Sequence, residues 1–260
     1  MILTIDIGNT NIVMGCFKDD KLLFHERFGT NHKATSLEYA TILKETFELH
    51  QLHASDIHGG IISSVVPSIT DTVKVAVEKY TGARILVVGP GVKTGVHLSV
   101  DDPAQLGSDL VVGAVAGVHR YPVPQILIDM GTATTVSVID KNKTFIGKMI
   151  LPGVAISLDA LTSRAAQLPK VSLELPRKLI GSNTIDSIKS GILYGSAGSI
   201  DGLIDRIQEE MEETCTVVAT GGLASVIIPL CRHEIAFEDD LLLQGLLIIY
   251  QKNQKKNNIH

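Results

Sequence analysis

The chain predicts an α/β fold made twice, two half-chains of the same design with a cleft between them. Three observations carry this. Short β-branched runs alternate with stretches of helical spacing. An Asp-x-Gly turn that closes an opening strand occurs at Asp6 and again at Asp129. The offset, 129 − 6 = 123 residues, is close to half of the 260-residue chain. With 45% hydrophobic residues, such a length suffices for two cores.

The elements follow in order. Residues 2–7 are β-branched and end in Asp-Ile-Gly-Asn, which reads as a buried strand and a tight turn. Residues 11–17 and 22–28 return as two more strands about an Asp19-Asp20 turn. Leu37, Ala40, Leu43 and Phe47 recur at helical spacing over residues 36–49. Strands at 60–66 and 84–88 flank a helix at 68–80, and 106–119 is helical. The order then restarts with strands at 125–129, 134–139 and 143–150. Helices at 159–166 and 184–213, a strand at 216–219 and a helix at 240–251 complete it. Tyr121-Pro122-Val123-Pro124 breaks the regular structure, so the halves are expected at 1–119 and 120–260.

Composition removes several classes. Net charge is −5, which provides no basic field for nucleic acid or anionic lipid. Trp is absent and aromatics are 4%, leaving few platforms for stacked bases. Cys16, Cys215 and Cys231 are far apart and lack metal-ligand spacing, which points to reduced thiols and a cytoplasmic address. The start, with an acid at position six, does not read as a signal peptide. The apolar run 241–250 is too short to span a bilayer. The basic tail, Lys252 to Lys256, reads as a frayed end.

The chemistry-bearing residues lie in the repeated turns. In Asp6-Ile7-Gly8-Asn9-Thr10-Asn11, glycine lets backbone approach a phosphate, Asn and Thr can bond its oxygens, and the carboxylate can hold Mg²⁺ through water. Alone it is an ordinary hairpin turn. A second copy, Asp129-Met130-Gly131-Thr132-Ala133-Thr134-Thr135, makes a bridging nucleotide the better reading. Thr220-Gly221-Gly222 adds a third glycine turn between a strand and a helix. Asp109, by itself, reads as an acid that complements a helix N-terminus.

The full motif order extends the case: Ser63-Ser64-Val65-Val66-Pro67, Gly89-Pro90-Gly91-Val92-Lys93-Thr94-Gly95, Gly107-Ser108-Asp109, Pro152-Gly153, Ser163-Arg164-Ala165-Ala166, Gly181-Ser182-Asn183-Thr184 and Gly191 with Gly195. This series resembles the superfamily of acetate and sugar kinases, heat-shock chaperones and actin. Within it, the chain is similar over nearly its whole length to the type III pantothenate kinases. The resemblance implies two duplicated actin/hexokinase-like (ribonuclease H-like) domains. It implies an ATP-dependent kinase that phosphorylates the primary hydroxyl of pantothenate, the first step of coenzyme A biosynthesis. Asp6, Ile7, Gly8, Asn9, Thr10, Asn11, Ile12 and Val13 would form the ATP phosphate loop, with Asp6 near Mg²⁺. Thr132 would contact ATP, and Asp129 would ligate a monovalent cation, potassium or ammonium. Gly107, Ser108, Asp109 and Leu110 would line the pantothenate site with Thr184, and Asp109 would be the general base.

Two departures from the family pattern stand out. Leu110 occupies the position of an arginine suited to the substrate carboxylate. Lys148 replaces a small residue in Gly147-Lys148-Met149, and either restores a positive charge at the acceptor site or is a solvated strand end. Leu110 keeps two alternatives open: a nucleotide-binding regulatory relative without activity, or a kinase of another small hydroxyl acceptor. Finally, Gly191, Gly195, Gly198 and Gly202 form a stripe on one helix. Glycine costs about 1 kcal/mol in a helix interior, so the stripe predicts a tight helix crossing, either at the two-fold interface of a homodimer or within the chain.

Overall fold

A computed structural model describes residues 1–165 and 167–254. Ala166, Lys255 and Lys256, which the sequence placed in a helix end and a frayed tail, lie outside the described residues. The chain divides into two compact units. The first comprises Met1–Val96, Asp101–His119 and residues 240–254; the second comprises His97–Val100 and Arg120–Asp239.

In the first unit the strands are β1 (Ile2–Ile7), β2 (Asn11–Lys18), β3 (Lys21–Gly29), then α1 (Ser36–Leu49), β4 (Gly59–Ser64), α2 (Pro67–Thr81) and β5 (Ile85–Val87). The sheet order is β3-β2-β1-β4-β5. β1 runs antiparallel to β2 and parallel to β4. Because β1 is central, both its faces are covered, and Thr4 on one face is as buried as Leu3 and Ile5 on the other. Leu3, Ile5 and Ile7 join Tyr39, Leu43, Phe47, Ile69, Val73 and Val77 in one core. The helical positions 39, 43 and 47 fall four apart, which aligns them on one face. α1 starts cleanly because the Thr35 amide donates to a Glu38 carboxylate oxygen at 2.7 Å and the Thr35 side chain accepts from Glu38 N.

The chain then makes β6 (His97–Leu98) and α3 (Ser108–Arg120), followed by β7 (Gln125–Met130), β8 (Ala133–Ile139), β9 (Thr144–Pro152), α4 (Val154–Arg164), α5 (Thr184–Met211), β10 (Thr216–Thr220), α6 (Ala224–Ile227), β11 (Ala236–Phe237) and α7 (Leu241–Gln254). The second sheet runs β11-β10-β7-β8-β9-β6. Without its two-residue edge strand β6, this order repeats the first sheet strand for strand. The duplication read from the Asp-x-Gly turns is thus a duplication of topology. The two hairpins differ by one residue: Ile7 pairs with Ile12, whereas Met130 pairs with Thr134.

Three sequence expectations need correction. The division at 119/120 put the last helix in the second half, but α7 groups with the first unit. Its Leu243 and Leu247 pack on Phe17, and a Cβ on Gly245 would overlap the Val112 carbonyl oxygen on α3. A helix apolar on most faces carries no mark of which core it fills. α4 starts at Val154 rather than 159, because Gly153 in extended conformation caps it. The strands β6 and β11 are two residues long, too short for any periodicity to reveal.

Candidate active site

The first unit gathers its expected residues at the C-terminal ends of β1 and β4. Asp6 lies opposite Ser63 in parallel register and opposite Val13 in the hairpin. Beyond it, the turn is closed by the Gly8 amide on Asn11 O at 2.9 Å, and it presents Asn9 and Thr10 to solvent. β3 holds the turn from one side. Thr30 donates its hydroxyl to Gly8 O at 2.7 Å and its amide to Thr10 O at 2.9 Å. Ile12 is fully buried beneath the turn, so its rim is anchored while its tip stays open.

Ser108 ties the start of α3 to this same edge. Its hydroxyl donates to Ser64 O at 3.0 Å and accepts the Ser64 amide at 3.1 Å. Its single proton being used on Ser64 O, the contact with the buried Ser63 hydroxyl at 2.9 Å must run from Ser63 to Ser108. Neighbouring strands are about 4.8 Å apart, so Asp6, Ser63, Ser108 and Asp109 follow one another across a short stretch of sheet end. The Asp109 carboxylate is oriented by the Leu110 amide, which donates to Oδ1 at 2.8 Å. It folds back over Gly107, where a Cβ would overlap Asp109 Oδ1. Leu110 is half-buried in the first turn of α3 and supplies no charge.

The second unit repeats the device around Asp129, which lies opposite Thr220 on β10 and Thr135 on β8. Gly221 holds φ at +99°, and a Cβ there would lie 2.6 Å from both Asp129 Oδ1 and Met130 N. Gly153 packs under the turn, where a Cβ would overlap Thr132 O and lie 2.8 Å from Gly131 O. The glycines at 221 and 153 thus keep a Cβ off Asp129 Oδ1 and off the turn carbonyls. Thr132 is exposed at the tip. Thr184 belongs to neither turn. It opens α5 behind the cap Asn183, whose side chain accepts the Asp186 amide at 2.9 Å, and it lines a cavity of about 740 Å³ with Leu161, Gly181, Ile188 and Ile192. Lys148 is exposed in the middle of β9, opposite Ser137, rather than at a strand end.

Sequence reading assigned no role to Thr30 or to the Ser63-Ser64 pair. Their signal was positional, hydroxyls at a strand end, and becomes legible once register is known. The thiols stand outside this chemistry: burial pushes Cys16 and Cys231 up to about 11, which keeps them protonated.

The chain is similar to known proteins along its length. The family model for type III pantothenate kinase matches residues 2–206. A type III pantothenate kinase of Bacillus cytotoxicus is 42% identical over 253 residues, covering 97% of each chain. One from an Exiguobacterium species is 42% identical over 255 residues, covering 98% of this chain and all of that one. Among solved structures, a Campylobacter jejuni protein named for the Baf family of transcriptional activators has a TM-score of 0.59 at 17% identity, covering 97% of this chain and 99% of that chain. A ROK hexokinase from Thermus thermophilus has a TM-score of 0.50 at 12% identity, covering 98% and 99%. At these identities the structural likeness speaks for the fold alone, which is the actin/hexokinase-like one. Family model, full-length relatives and the doubled Asp-x-Gly architecture agree: the chain belongs to the type III pantothenate kinase family.

Proposed function

We propose that the protein transfers the γ-phosphoryl group of ATP to the primary hydroxyl of pantothenate, giving 4′-phosphopantothenate in the cytoplasm as the first step of coenzyme A synthesis. The observation that carries this is the run Asp6–Ser63–Ser108–Asp109, which sets a carboxylate beside a glycine turn open to phosphate. An alcohol is a weak nucleophile, and the Asp109 carboxylate, oriented by the Leu110 amide, accepts its proton as the bond to phosphorus forms. The turn 6–13 holds the phosphates by backbone and by Asn9, Thr10 and Asn11, and Thr132 contacts the nucleotide. Gly107, Ser108, Leu110 and Thr184 line the acceptor.

Among the described residues, no three His, Cys, Asp or Glu side chains converge as a metal cage. A magnesium ion would be held by Asp6, through water, and by the phosphates themselves, where it would neutralise developing charge. Asp129 would hold potassium or ammonium. No helix among the described residues is long and apolar enough to cross a membrane.

The partner we infer is a second copy, seated on α5. At 100° per residue, five of its seven buried positions, Leu193, Ala197, Ile200, Ile204 and Ile207, share one face. Gly191, Gly195, Gly198 and Gly202 lie on the opposite one. A Cβ at 191, 195 or 198 meets nothing within 4 Å among the described residues, so a crossing within the chain does not account for the stripe. A two-fold contact of glycine faces does.

The test is incubation with ATP, Mg²⁺, K⁺ and pantothenate, reading phosphorylated product. Turnover supports the proposal. Nucleotide binding without turnover of pantothenate, the outcome the Leu110 departure favours, would assign the protein as a regulatory relative or as a kinase of another acceptor.

A further inference from the structure

The turn between β1 and β2 lacks the bond that ordinarily closes such a turn. A four-residue turn closes when the carbonyl of its first residue accepts the amide of its fourth. Here those residues are Gly8 and Asn11. The Gly8 amide donates to Asn11 O at 2.9 Å, but Gly8 O is engaged from outside the turn, by the Thr30 hydroxyl at 2.7 Å. Thr30 follows the end of β3 and is half-buried. Its amide donates to Thr10 O at 2.9 Å, so one residue holds two carbonyls of the turn.

The peptide plane carries the consequence across the turn. In a planar trans peptide the carbonyl and the amide point to opposite sides. Gly8 O shares such a plane with the Asn9 amide, and Thr10 O shares one with the Asn11 amide. With both carbonyls drawn to Thr30, both amides face away from β3. Two backbone donors turned to one side suit an anion. Gly8 allows the tight bend, since a Cβ there would lie 3.1 Å from Asn11 O. The hairpin alone does not impose this orientation. Its Ile7–Ile12 pairing and its Gly8–Asn11 bond act on the planes on either side. Among the described residues, the plane between Gly8 and Asn9 is bonded at the Thr30 hydroxyl alone.

We propose that Thr30 is a positioning residue for the phosphate loop, which diverts the closing bond of the turn so that the Asn9 and Asn11 amides face the phosphates of the nucleotide. The proposal rests on the kinase reading above. Thr30 acts through the turn, from the side opposite those amides. Without its hydroxyl, Gly8 O takes the Asn11 amide, the turn closes on itself, and a phosphate donor is withdrawn.

The experiment compares wild type with Thr30→Val, which keeps the branched shape without the hydroxyl, with Thr30→Ala as a second deletion, and with Thr30→Ser, which keeps the hydroxyl. It reads exchange of the Asn11 amide by NMR in the nucleotide-free protein, ATP affinity by calorimetry, KM for ATP and for pantothenate, and thermal midpoint. Both deletions are expected to slow Asn11 exchange and to weaken ATP binding about tenfold, as for the loss of one hydrogen bond to a charged group. The KM for pantothenate should stay within about twofold, and Thr30→Ser should match wild type within the same margin. ATP affinity unchanged in both deletions would overturn the proposal. Faster Asn11 exchange, with a lowered midpoint and both KM values raised together, would overturn it in favour of a plain structural strut. Should wild type bind ATP without phosphorylating pantothenate, the kinase reading fails separately, and affinity and exchange still decide the role of Thr30. A wild type that binds no ATP overturns both.

Discussion

Gly221 holds a left-handed backbone against the Asp129 carboxylate, so Gly221→Ala combines strain with a clash. Strain of this kind is worth about 1–3 kcal/mol, and we expect a lowered denaturation midpoint in urea together with weakened potassium dependence of turnover. Asp109→Asn keeps shape and removes the proton acceptor. Turnover should fall about 10²–10⁴-fold, with ATP affinity by calorimetry unchanged; an equal fall in ATP affinity would count against the general-base role. Leu110→Arg supplies the guanidinium that the family pattern carries, and should lower the KM for pantothenate about tenfold without changing that for ATP. These positions were legible because their residue types are chemically committed: acids at strand ends and glycines in turns. Ser63, Ser64 and Thr30 were not, since a hydroxyl declares its partner only when the register across the sheet is known.

The long helix α5 shows how an element can be read correctly in extent and left open in purpose. Its span of Thr184–Met211 was set by an Asn183 cap and a sustained 3.6-residue period, but periodicity could not say which face meets what. With the apolar face buried and the glycine face open, Gly195→Leu and Gly198→Leu should cost the isolated fold little and gain helix propensity of about 1 kcal/mol each. Light scattering should nonetheless report a monomer for the double variant. A dimer that survives both substitutions would move the interface elsewhere. At the junction after α3, Tyr121 donates its hydroxyl to Glu238, which also pairs with Arg120 at 3.0 Å. Burial, and then that carboxylate, push the phenol up from 10.0 to about 12. The neutral phenol is the form the fold favours, so this stabilisation is complete below pH 10 and is lost as pH rises through 12. Tyr121→Phe should flatten the decline in stability over that window, measured as urea midpoint against pH.

For the molecule as a whole, the doubled design was legible and the placement of α7 was not. Two copies of one strand order announce themselves through repeated turns, whereas a helix buried on most sides fits either core. Its Leu241, Leu243, Leu246, Leu247 and Ile249 are all at most 7% exposed. Burial is worth about 1.5–3 kcal/mol for each such side chain, a sum comparable with the stability of a whole domain. A chain ending at Asp239 should therefore lose cooperative unfolding of the first unit, seen as exposed apolar dye binding, while the second unit keeps its own transition. Loss of both transitions together would show the units to be one cooperative body. The return of α7 also bears on synthesis. The first 119 residues leave the ribosome without their closing helix and wait while about 120 more are added, roughly 6–24 s at ordinary elongation rates. The second unit has all its parts once Asp239 is made; the first does not until α7 follows. A chain stopped before α7 thus leaves the half that carries Asp6 and Asp109 without its closing helix.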